Sequence, residues 1–116
     1  MDSTTILADL KDLTLTLASG KRTRKETVEE LYKRVDPEVI FEMKPDQAQA
    51  DFIIEVFVSL EHLTDEGFAT SPAEIRYFAE CFEGKRNFSR EEVRKFPIGD
   101  FEKENPGGNR KKNAQI

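Results

Sequence analysis

One signature marks three expected helix starts in this chain: Thr23 with Glu26, Ser71 with Glu74, and Ser89 with Glu92, each placed just before an apolar run. A Ser or Thr three residues ahead of a Glu is the capping box, in which the two side chains satisfy orphan backbone N–H groups at a helix start. Pro72 strengthens the second instance, because proline at the first helical position gives up an N–H that has no partner anyway. Repeated helix starts leave little room for sheet. The chain is therefore expected to be all-α, a compact bundle of five or six helices.

The apolar spacing agrees. Ile6, Leu7, Leu10, Leu13 and Leu17 recur at three- and four-residue intervals, which predicts a helix over Ser3–Ala18 with Ser3 as its N-cap and Gly20 closing it. Leu13, Leu15 and Leu17 also alternate with Thr14 and Thr16, a strand-like ending to that segment. After Thr23 the stripe is Val28, Leu31, Tyr32 and Val35, with Glu29–Lys33 and Glu30–Arg34 as i,i+4 pairs on the wet face. Asp36-Pro37 ends this helix and starts a short third one, whose Val39, Ile40 and Met43 would face inward before Pro45.

A long helix is expected from Asp46 to Glu66. It carries Phe52, Ile53, Val56, Phe57, Leu60 and Leu63, and is apolar on enough sides to be the central one. A buried strand over Phe52–Leu60 is the rival reading, and the length of the segment decides for helix. The fifth helix follows Ser71, with Ile75, Phe78, Ala79 and Phe82 as its buried face and Gly84 as its stop. The sixth follows Ser89, with Phe88 stapled onto Val93 and Phe96-Pro97-Ile98 as its end.

Nine Phe, two Tyr and no Trp among 116 residues leave phenylalanine to do the bulky packing. Residues 1–98 are expected to form the helical domain. From 99 to 116 apolar content falls away, with Pro106-Gly107-Gly108 and the basic Arg110-Lys111-Lys112, so this tail is expected to be flexible.

Charged residues make up 35% of the chain and the net charge is −5, the reverse of the basic excess that marks nucleic-acid binders. A basic protein partner fits this balance better. Cys81 stands alone, Asp2 and Asp9 occupy a region that a signal peptide would keep basic, and Phe52–Leu60 is too short to span a bilayer. The expectation is a cytoplasmic protein without a membrane segment.

Few residues carry the pattern of a reaction centre. His62 has no second histidine and lies off its helix's main stripe, so it reads as a solvated side chain. Cys81 sits among acids near a helix C-terminus, the wrong setting for a thiolate. Counting back from Glu92, an EF-hand loop would place Lys85 and Arg86 at its calcium-binding centre, which rules against calcium there. No catalytic residue, metal ligand or cofactor is assigned, and the chain is not expected to be an enzyme. Lys21, Arg22, Arg24 and Lys25 form a basic loop before a helix, without the interleaved aromatics that stack bases.

Glu61, Asp65 and Glu66 gather at the end of the long helix, where carboxylates oppose the macrodipole. Local conflicts of this kind concentrate at functional sites. The run Leu17-Ala18-Ser19-Gly20-Lys21-Arg22-Thr23 leading into Glu26–Tyr32, followed by a long helix ending in Glu61 and Asp65, resembles the small helical immunity proteins of the colicin D type. The resemblance spans about two-thirds of the chain by helix order. It implies a non-catalytic inhibitor that offers Glu61, Asp65 and Glu66, as a phosphate-like patch, to the basic active site of an RNA-cleaving toxin. Two other readings stand beside it: a regulatory or adaptor protein whose partner docks on an apolar groove, and a nucleic-acid-associated protein using the Lys21–Lys25 loop.

Overall fold

The computed structural model describes residues 3–42 and 47–96. Within them lie six helices and no strand: α1 (Ser3–Ala18), α2 (Arg24–Arg34), α3 (Pro37–Glu42), α4 (Gln47–Glu61), α5 (Pro72–Phe82) and α6 (Arg90–Val93). The expected all-α bundle is the architecture found. The long apolar segment is a helix, and the alternating leucines finish α1 as helix too. Asp46, Met43, Pro45 and the tail from 99 to 116 lie outside the described residues, as does Pro97-Ile98.

Burial of the apolar stripes holds the bundle together. Ile6, Leu10 and Leu13 of α1 pack with Leu31 and Val35 at the end of α2, Ile53, Val56, Phe57 and Leu60 of α4, and Ile75 and Phe78 of α5. Most of these side chains are fully buried, each contributing about 1.5–3 kcal/mol relative to exposure. α1 packs on α2, α4 and α5, while α6 lies against α4. A second aromatic layer surrounds Phe52, whose ring centroid lies 4.9 Å from Phe82, 5.1 Å from Phe88 and 6.2 Å from Phe78.

The stripe on α2 is turned from the expected one. Thr27 is buried beside Leu31, its hydroxyl donating to the Thr23 carbonyl at 2.7 Å, while Tyr32 is half exposed. The wet side of α2 is tied to α1 instead: Arg34 donates to Asp12 at 2.8 Å and to Glu30 at 3.1 Å, and its guanidinium draws the Asp12 carboxyl below the usual range.

The three capping signatures end in three different ways. At Thr23 the box closes: the Glu26 N–H donates to Thr23 Oγ1 at 3.0 Å and the Thr23 N–H to Glu26 Oε1 at 2.9 Å. At Ser71 only half forms, with the Glu74 N–H donating to Ser71 Oγ at 3.2 Å while the Glu74 carboxyl turns inward. At Ser89 no side-chain cap forms. The Ser89 N–H, which Glu92 would have taken, donates to Tyr77 Oη at 2.8 Å, and Glu92 pairs with Lys95 at 3.4 Å. This helix is only one turn long, and Phe88 packs on Phe52.

Candidate functional site

The chain leaves α4 earlier than its apolar pattern suggests. α4 ends at Glu61, and residues 62–68 make two tight turns, with Gly67 at φ +80° in the left-handed region that favours glycine. Side chains and long-range backbone bonds take up the carbonyls that a continuing helix would have used. Arg24, at the start of α2, donates from Nη1 to the Leu63 and Thr70 carbonyls, both at 2.8 Å. The Thr70 N–H donates to the His62 carbonyl at 3.0 Å, and Thr70 Oγ1 to the Ser59 carbonyl at 2.6 Å. The loop is thereby folded back over the last turn of α4.

Under this loop lies a cavity of about 410 Å³, which falls within the size range of small-ligand sites. Val58 of α4, Phe68 of the loop, Val93 of α6 and Phe96 beyond it supply apolar walls. Glu55 also lines it and is held by Arg90 at 2.9 Å. At the buried end stand Ser59, Thr70 and Glu74, the last only 9% exposed. Ser59 Oγ donates to the Glu74 carboxylate. Burial pushes the Glu74 carboxyl above its usual range, the Ser59 hydrogen bond opposes this, and the nearby charge of Glu55 adds to it. At the open end, His62 Nδ1 pairs with the Asp65 carboxylate, and Arg94 is exposed.

The three acids singled out in the sequence are split by this geometry. Glu61 is in the last turn of α4 and accepts from Tyr32 Oη at 2.8 Å; burial of that phenol, together with the Glu61 and Asp65 carboxylates, pushes Tyr32 up to about 12. Asp65 pairs with His62 on the rim of the cavity, and Glu66 is exposed in the following turn. Only Glu61 therefore opposes the α4 dipole, because the helix stops before the other two. Phe68 completes the patch, 65% exposed at the cavity mouth.

The remaining candidates find structural roles. His62 is exposed, as expected of an off-stripe histidine, and is engaged by Asp65. Cys81 is half-buried in α5, its thiol pushed up mainly by burial. In the basic loop, Arg22 donates to Thr16 Oγ1 at 2.7 Å and Arg24 is the strap described above, which leaves Lys21 and Lys25 as its exposed cations. Among the described residues no cluster of three metal-ligating side chains occurs, and no helix is long and apolar enough to cross a membrane.

Glu74 and Phe68 went unassigned in the sequence. Glu74 sat in a capping box, a sufficient surface role. The one available signal was its helix register: it immediately precedes Ile75 and lies four residues before Phe78, so it flanks the buried face of α5. No family model, curated protein or solved structure matches the chain, so the site rests on its own geometry.

Proposed function

We propose that this chain is a non-catalytic protein-binding module of the cytoplasm, whose basic partner docks on the face formed by Glu61, Asp65, Glu66 and Phe68. The observation that carries the reading is Phe68, a large aromatic side chain exposed within a few residues of three carboxylates and at the mouth of an apolar cavity. An exposed aromatic beside charge is the usual composition of an interface anchor, with desolvated apolar contact supplying affinity and the surrounding acids steering association. Inhibition of a basic RNA-cleaving toxin, the immunity-type role that the resemblance implies, is the specific form in which such a face would act. The nucleic-acid reading is the weaker one, because two of the four cations in the Lys21–Lys25 loop are committed to internal hydrogen bonds.

Phe68→Ala combined with Glu66→Lys tests the proposal, since both side chains are exposed and the fold should survive. Affinity capture from the source cells, followed by binding kinetics with the captured protein, should show a basic partner whose association slows as ionic strength rises past about 0.1 M. The double variant should lose it. A partner retained equally by the double variant contradicts the reading.

A further inference from the structure

The cavity beneath residues 62–70 holds a buried acceptor that the docking face does not use, and the inference drawn from it does not rest on the docking reading. Glu74 is more than nine-tenths buried, yet among the described residues its carboxylate receives one hydrogen bond, from Ser59 Oγ. An ionised carboxylate offers about four lone-pair sites. Among the buried side-chain oxygens and nitrogens of the described residues only Thr14 Oγ1 lacks a partner, so the second Glu74 oxygen stays accessible, an acceptor that the protein itself does not use. The cavity is the way to it, because Glu74 and Ser59 both line its wall.

The charges around the cavity select the sign of that donor. Glu55, Asp65 and Glu74 line it with one Arg, the exposed Arg94, and with His62. Arg90 already holds Glu55, and His62 already holds Asp65. Glu74 is left as the buried carboxylate without a direct ion pair among the described residues, with the charge of His62, itself engaged by Asp65, as its nearby cationic influence. Val58, Val93, Phe68 and Phe96 form apolar walls between these polar groups. Such a site combines a small number of fixed polar groups with apolar walls, the usual composition of a small-molecule pocket.

We propose that this cavity binds a small organic amine: an ammonium group donates to Glu74, and a compact aliphatic or aromatic body fills the space between Val58, Phe68, Val93 and Phe96. The ammonium supplies up to three donors, matching the open lone pairs of the carboxylate. The apolar body replaces water on the cavity walls. A neutral alcohol of the same shape would fill the walls but bring a single donor and no charge, and a carboxylate would be repelled by Glu74.

Cyclohexylamine and phenethylamine are suitable probes, with cyclohexanol, 2-phenylethanol and cyclohexanecarboxylate as shape-matched controls. Titration of the full chain followed by amide NMR should give saturable shifts at Ser59, Thr70 and Glu74 for the amines, with affinity for each amine about tenfold or more above its alcohol. Glu74→Gln keeps the shape and removes the charge, and should weaken amine binding by about tenfold or more. Val93→Phe, which narrows the cavity while leaving Glu74 in place, should weaken it as well. Alcohols binding as tightly as amines, undiminished amine affinity in Glu74→Gln, or no saturable shift in the wild-type chain would each overturn the proposal.

Discussion

The first turns of α2 and α5 carry the same capping pattern, a hydroxyl residue three before a glutamate, and serve opposite ends. At α2, Thr23 and Glu26 cap each other at the surface, and the bond from the Thr23 N–H draws the Glu26 carboxyl below its usual range. At α5, Ser71 caps the Glu74 N–H in a fully buried setting, while the Glu74 carboxyl is withdrawn into the interior and pushed up by burial. One glutamate stabilises its helix in the ionised form. The other is kept where ionisation is costly. The difference separates a capping glutamate that serves its own helix start from one whose carboxylate is presented to a cavity.

The contrast can be tested by substitution, beginning where the two turns are joined. Arg24 follows the α2 cap and holds the carbonyls of Leu63 and Thr70, so Arg24→Ala leaves both short of a charged donor. A loss of about 2 kcal/mol is expected in urea unfolding, with amide protection falling over residues 62–70. Next come the caps. Ser71→Ala, which orphans a buried N–H, should cost about 1–2 kcal/mol, and Thr23→Ala, at the exposed cap, about 1 kcal/mol. A larger loss at Thr23 than at Ser71 would break the comparison. Glu74→Gln should stabilise the fold at pH 7 by about 1 kcal/mol, by removing a buried charge while keeping an acceptor for Ser59. Glu26→Gln has the smallest expected effect, a slight loss at pH 7 visible as a lower unfolding midpoint in a thermal scan.

Much of the fold was legible because apolar periodicity and capping residues act locally. α1 lies where the leucine spacing put it, and α2 starts at the Thr23 box. Errors arose where a distant group competed for a local partner. Tyr77 took the Ser89 N–H that Glu92 was expected to hold, and the Arg24 strap took the carbonyl of Leu63 just past the end of α4. Neither competitor has a signature of its own, since both act across sequence separations that periodicity does not register. The site was legible in part. The acids at 61, 65 and 66 and the isolated His62 stood out by composition, and all four lie on or beside the folded-back loop. Glu74 was hidden by a valid local explanation, and Phe68 by lying outside any stripe.

The two glutamates also make opposite pH dependences. Because the folded-state pKa of Glu26 is lowered from 4.5, its contribution is present above that value and is lost as pH falls through the folded pKa. Glu74 is raised from 4.5, so its contribution is fully present below that value and is lost as pH rises through the folded pKa. Thermal unfolding of wild type and Glu74→Gln between pH 4 and pH 7 tests this most directly. The account predicts that the variant is the more stable at pH 7 and that its advantage shrinks toward zero near pH 4. A Glu74→Gln variant that is less stable than wild type at pH 7, with the deficit disappearing in acid, would place Glu74 in the same role as Glu26 and contradict the buried, cavity-facing carboxylate.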